Sequence, residues 1–201
     1  MRYRSVTLTI ITALLLGGCI PRQPSRPVTR YTLPLPSLKE RLPAPLFAKT
    51  LKIARPESSR AFKSTKIYYT QGMERNPYAF SRWSDTPVRM FERYLIEYLR
   101  EKRLFKAVIP HNSRAANDLL LESQLLDFSQ HFEEGKSKGV VSLHFDLIEP
   151  KSRRILASKT FSASFPATSQ DSRGGTEALA GATKKICEKL YKWLISISKN
   201  Y

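Results

Sequence analysis

The sequence predicts an α/β chain of the α+β sandwich kind: a mixed, largely antiparallel sheet that ends in a strand meander, with two amphipathic helices packed on one face. Two patterns carry this. The first is a pair of segments whose apolar residues recur at helical spacing: Val88, Phe91, Leu95, Tyr98 and Leu99, then Leu179, Ile186, Leu190, Trp193 and Ile197. The second is a run of three long strand-like segments with short polar connections, about Asp118 to Phe132, Val140 to Ile148 and Ile155 to Phe165. Two amphipathic helices against one sheet is the economical way to bury both stripes.

Taken in order, Arg30-Tyr31-Thr32-Leu33 reads as a first short strand. Leu51 to Ala54 reads as a second, stopped by Arg55-Pro56. Lys66 to Thr70 is rich in β-formers, and the polar stretch Gln71 to Asn76 reads as a turn. The first helix is expected from Pro87 to about Lys102. Proline suits the first helical position, Thr86 is placed to cap it, and Lys102 and Arg103 complement its C-terminal dipole. Phe105 to Ile109 is a short strand closed by Pro110. In the meander, Val141, Leu143, Phe145 and Leu147 alternate with Ser142, His144 and Asp146, so one face is buried and the other wet. The preceding strand loses its alternation at Leu125-Leu126, which predicts a bulge. Gly174-Gly175-Thr176-Glu177 opens the second helix.

The chain has 201 residues, 41% hydrophobic and 25% charged, normal for one globular domain. Its formal charge is +17. That would point to nucleic acid in a cytoplasmic protein. The N-terminus argues otherwise. Arg2 and Arg4 precede an apolar run from Val6 to Leu16, too short to span a bilayer and followed by small residues. Residues 1–18 are therefore expected to be a cleaved signal, and no nucleic-acid partner is expected. The anions available outside the inner membrane are lipid head groups, lipopolysaccharide and acidic proteins.

Leu16-Gly17-Gly18-Cys19 resembles the bacterial lipobox. The resemblance implies that Cys19 receives a diacylglycerol, that cleavage falls just before it, and that the new amino group is acylated. Two or more buried chains anchor stably where one does not, each CH₂ contributing about 0.8 kcal/mol. Ile20 to Pro45 holds seven of the 13 prolines, so residues 19–45 are read as the lipidated cysteine and an extended tether, and residues 46–201 as the domain. Cys187, the other cysteine, is expected to be a small buried side chain in the second helix.

Residues 68–83 hold five aromatics: Tyr68, Tyr69, Tyr78, Phe80 and Trp83. Two readings stand side by side. In one, Tyr78, Phe80 and Trp83 pack under the first helix and Arg82 pairs with Asp85 or Glu92. In the other, Tyr78, Arg82, Trp83 and Arg89 form a partner-docking surface, since Tyr, Trp and Arg dominate interface hot spots. Arg89 stands near a helix N-terminus, where the dipole disfavours a cation.

The run Tyr78-Ala79-Phe80-Ser81-Arg82-Trp83, followed by Pro87 and Arg89, resembles the signature of the ABC-type transport auxiliary lipoproteins. The strand Leu120 to Phe128, the strand end Phe161 to Pro166, the C-terminal helix, the lipobox and the proline tether agree with that family. The resemblance implies a non-enzymatic periplasmic lipoprotein without cofactors. Its expected partners are an ABC transporter and a mammalian-cell-entry (MCE) domain protein, in a machine that moves lipids between the two envelope membranes. Ile20 after the lipidated cysteine, in place of Asp, implies outer-membrane residence by the sorting habit of enteric bacteria. The resemblance also allows self-association, because family members sit beneath ring-forming partners.

Catalytic patterns are sparse. His111, His131 and His144 have no metal-ligand spacing, although His131 and His144 are candidates to meet across the hairpin. Gly174-Gly175 lacks the lysine and strand context of a phosphate loop, and no nucleophile elbow occurs. The competing functions are a structural lipoprotein that binds peptidoglycan or polysaccharide, by fold analogy alone, and a direct lipid carrier, which needs an apolar cavity.

Overall fold

The computed structural model describes residues 26–37 and 42–197. The signal segment, Cys19, and residues 20–25 and 38–41 of the expected tether lie outside the described residues. The elements are β1 (Thr29–Tyr31), β2 (Phe47–Ile53), β3 (Glu57–Ser58), a 3₁₀ turn (Arg60–Lys63), β4 (Lys66–Gln71), β5 (Glu74–Trp83), α1 (Pro87–Lys102), β6 (Phe105–Ile109), β7 (Leu119–Glu133), β8 (Lys136–Glu149), β9 (Arg154–Pro166) and α2 (Ser172–Ile197).

One mixed sheet of nine strands is built around β7, which at 15 residues is about 50 Å long. On one edge β7 carries the antiparallel meander β7–β8–β9. Its other edge is lined in sequence by three short parallel pieces: β2 against Leu119 to Leu121, β3 against Gln124 and Leu125, and β4 against Ser129 to Phe132. The segment from β2 to β4 is in effect one long strand, broken at Arg55-Pro56 and by the 3₁₀ turn that buries Phe62. β6 extends the sheet beyond β2, and the β4–β5 hairpin with β1 extends it at the other end. The expected bulge is present. Leu125 faces Leu143 and Asp127 faces Ser142, so Leu126 is the extra residue.

Both helices cover the same face. Val141, Leu143, Phe145 and Leu147 are buried beneath them, with Phe91 of α1 against Phe145 and Trp193 of α2 against Phe161. Tyr98 and Tyr191 join the two helices edge to face. Cys187 is fully buried in the same layer.

Both helix starts differ from the sequence reading in their chemistry. Thr86 occupies the cap position of α1, but its hydroxyl makes no capping bond; instead the Asp85 carboxylate accepts the Thr86 N–H at 2.7 Å. α2 starts at Ser172, earlier than Gly174, because Asp171 is the cap. Its Oδ1 accepts the Gly174 N–H at 2.9 Å and the Ser169 hydroxyl at 2.6 Å. Those bonds, the hydroxyl's first, hold the Asp171 carboxyl below the usual carboxylate range.

The glycines explain how close α2 comes. A Cβ on Gly139 of β8 would lie 2.5 Å from the backbone of Ala178 and Leu179, and one on Gly175 would lie 1.9 Å from the Gln130 side chain. Helix and sheet therefore meet backbone to backbone. Further along, Lys185 and Lys189 reach from α2 to the outer edge of β9 and donate to the Ser164 and Ser162 carbonyls at 2.9 and 2.6 Å.

Two outcomes are expected. Gly139→Ala should lower stability by about 1–3 kcal/mol in urea titrations, because overpacking here pushes against backbone. Gly72→Ala, where φ is +59° but space is open, should lose only about 1 kcal/mol. The second concerns alkali. Burial pushes the Tyr94 and Tyr98 hydroxyls and the Cys187 thiol above their ordinary values of 10.0 and 9.0. A neutral form favoured by folding contributes stability that is whole below the unfolded value and lost as pH rises above it. These groups should leave the melting temperature unaffected up to about pH 9 and lower it progressively above that; Tyr94→Phe should weaken the alkaline fall.

Candidate partner-docking site

The aromatic signature is a strand, which the sequence reading missed. β4 and β5 form a hairpin whose turn is only Gly72-Met73, with Gly72 supplying the positive φ. The polar stretch Gln71 to Asn76 had read as a longer turn. Pro77 is tolerated because β1 pairs only with Ser81 to Trp83, leaving that part of β5 at the sheet edge.

Lys66 faces Arg82 while Tyr68 faces Pro77, so residues 78–81 bulge out of the ladder. Arg82 folds back into this bulge. Its Nη1 donates to the Tyr78 carbonyl at 2.5 Å and the Ser81 carbonyl at 2.8 Å. The expected pairing of Arg82 with Asp85 or Glu92 is not what forms: the bulge exposes two carbonyls closer at hand.

Tyr78 is half-buried against Tyr69, ring centroids 5.0 Å apart, and its hydroxyl donates to Gln130 Oε1 at 2.7 Å. Gln130 is fully buried and passes the connection to Ser137 of β8 at 2.9 Å. Ser81 meets Ser172, the first residue of α2, at 2.8 Å. Burial, the largest cause, with the nearby Asp171 charge, pushes the Tyr78 hydroxyl above its ordinary range. The bulge is thus tied to the start of α2. Trp83 is 1% exposed and packs on Phe128 at 5.6 Å. The expectation that Trp83 belongs to a docking surface is corrected: it is a core side chain with no face to offer. Phe80 goes the other way, exposed with the Arg26 guanidinium 5.5 Å above its ring.

Of the four residues expected to dock a partner, Arg89 alone is well exposed. It lies on the outer side of α1 beside a groove of about 420 Å³ that also takes in Arg55, Arg93 and Arg100. Arg89 pairs with Asp85 at 3.3 Å, which answers the helix-dipole objection, and Arg100 with Glu97 at 3.0 Å. Arg93 makes no ion pair among the described residues. The groove floor is a polar chain that sequence reasoning did not find. Arg55 Nη2 lies 2.8 Å from His111 Nε2, and His111 Nδ1 lies 2.5 Å from Glu92. Guanidinium can only donate, so Nε2 accepts and the Nδ1 proton is directed to Glu92. Glu92 is 6% exposed, and its position among apolar neighbours in the helical stripe was the one available signal. The groove brings together four guanidinium groups and three carboxylates.

The histidines stay apart. His131 Nε2 bonds Asp127 at 2.8 Å and lies 3.2 Å from the Ser129 hydroxyl, while His144 bonds Thr160 and Ser158. The Ser129, His131 and Asp127 arrangement is not a hydrolytic triad. The same ring nitrogen serves both partners, and Ser129 is fully buried and donates to Asp127. Among the described residues no group of three His, Cys, Asp or Glu side chains is placed to hold a metal.

A family model, the ABC-type transport auxiliary lipoprotein component, matches residues 31–190. The chain belongs to that family. Among solved structures it is similar to XCC0632 from Xanthomonas campestris, with 20% identity, a TM-score of 0.77, and coverage of 86% of this chain and 97% of that one. It is also similar to the hypothetical protein CT253 from Chlamydia trachomatis, with 6% identity, a TM-score of 0.55, and coverage of 76% and 98%. At these identities the likeness is one of fold. No curated protein matches the sequence.

Arg82→Ala should destabilise the protein by about 1.5–3 kcal/mol, the range for hydrogen bonds to a charged group, with the melting temperature as readout. Arg89→Ala should change stability by less than about 1 kcal/mol, because its ion pair is exposed.

Proposed function

We propose that this chain is a lipid-anchored periplasmic subunit, held at the outer membrane through Cys19, that docks an MCE-domain partner of an ABC-type intermembrane lipid transporter and performs no catalysis. The family match across residues 31–190 is the observation that carries this reading. The Leu16-Gly17-Gly18-Cys19 run supports the anchor. Among the described residues no helix is long and apolar enough to cross a membrane, and a lipidated cysteine would serve in its place.

The α1 groove is the docking surface in this reading. It carries exposed Arg89 and Arg93 on a rigid helix, and arginine is enriched at protein interfaces. The cell-wall alternative has no comparable support, since it rests on fold analogy.

Mass spectrometry of the membrane fraction should find a diacylated or triacylated peptide beginning at Cys19, and Cys19→Ser should release the protein. Crosslinking from tagged protein should capture an MCE-domain protein. Arg89→Glu with Arg93→Glu should cut that capture at least about tenfold, the loss expected of interface arginines worth more than 1 kcal/mol each, while stability falls by no more than about 1 kcal/mol. Undiminished capture would remove the groove from the interface, and absence of any MCE-domain partner would remove the transport reading.

A further inference from the structure

We propose that the tip of the β4–β5 hairpin rests on the bilayer that holds the lipid anchor, with the Met73 side chain inserted among the head groups. This rests on the anchoring of Cys19 proposed above.

Direction comes first. β1 runs parallel to β5, with Thr29 opposite Ser81 and Tyr31 opposite Trp83. The chain therefore enters β1 from the hairpin side, and Arg26 is found over Phe80, on the tip side of Ser81. Seven residues separate Arg26 from Cys19, and seven separate Phe80 from Met73. At about 3.3 Å per extended residue the first span reaches about 23 Å, and the second is shorter because residues 78–81 bulge from the ladder. The lipid-bearing cysteine can thus be brought level with Met73. At the opposite end of the sheet Leu120 pairs with Ile148, eight residues along β7 from Phe128 and about 26 Å away in the other direction. A chain that reached that end would have to double back along its whole length.

The chemistry of the tip fits a bilayer surface. Met73 is 105% exposed, an apolar side chain that no other described residue covers. Behind it the rings of Tyr69, Tyr78 and Phe132 form a half-buried ledge, with Tyr69 5.0 Å from Tyr78 and 5.7 Å from Phe132. Tyr69 matches the head-group region, where an apolar ring and a polar hydroxyl are both satisfied, while the Tyr78 hydroxyl is turned inward to Gln130. The flanking charges balance: Glu74, Glu133 and Glu134 stand against Arg75, Lys136 and Lys138. The contact is therefore with a lipid surface in general and does not require anionic lipid. A methionine set on a two-residue turn is also small enough to enter the interface without unfolding the hairpin.

The test uses the full lipid-modified protein. Met73→Cys carries an environment-sensitive fluorophore, and Lys151→Cys in the β8–β9 turn carries the same label in a second sample. Cys187 is fully buried, so each variant offers one reactive thiol. On phosphatidylcholine vesicles the label at position 73 should shift to the blue, gain intensity severalfold, be quenched by nitroxide-bearing lipid, and be shielded from aqueous iodide. The label at position 151 should remain open to iodide. Flotation with the vesicles is measured in parallel. Protein that floats with position 73 still open to iodide overturns this inference alone. Protein that fails to float overturns the anchor and this inference together. Shielding of position 73 in unlipidated Cys19→Ser protein without vesicles would assign the tip to a second copy of the chain and overturn the bilayer contact.

Discussion

The α2 backbone at Ala178 and Leu179 meets the β8 backbone at Gly139 with no room for a methyl group between them. That approach sets the helix on the sheet, and the rest of the core is filled around it. Gly175 allows the same helix to sit on Gln130, a fully buried amide whose carbonyl must be satisfied. Tyr78 satisfies it from one side, and Ser137 receives its amide donor on the other. Small residues and a buried hydrogen-bonded amide are thus two parts of one constraint. The amide can be buried because both its ends are hydrogen-bonded, and the helix could not come as close if either glycine carried a side chain.

This constraint recasts the aromatic signature. Its members serve different ends within one irregular strand: Trp83 fills the core, Arg82 repairs the carbonyls of its own bulge, and Tyr78 locks the buried amide. The signature marks a geometry that joins β5 to the start of α2. Exposed Arg89 and Arg93 rise instead from α1, whose opposite side is packed into the core.

Periodic elements were legible in the sequence. The first helix and the Phe105–Ile109 strand fall where alternation and breakers place them, and the bulge at Leu126 follows from a single slip of register. β5 was not legible, because its alternation is interrupted by its own bulge and by an edge proline, features that depend on neighbours far away in sequence. The Arg55–His111–Glu92 chain was hidden for a related reason. Its members come from a loop, a turn and a helix, and only the fold brings them together. Side-chain capping was misread at Thr86, whose hydroxyl makes no capping bond, while Asp85 accepts the Thr86 N–H and pairs with Arg89. The two glycines that open α2 were visible, but their use required knowing what lay beneath them.

Lys185 and Lys189 leave the margin of β9 divided in two. Around Ser162 and Ser164 the outward carbonyls already hold ammonium donors, and a foreign strand would have to displace two cations and their hydration to pair there. Neither lysine bonds the stretch from Arg154 to Thr160, where Ile155 is exposed. Lateral growth of the sheet is thereby hindered at the Ser162 and Ser164 end of β9.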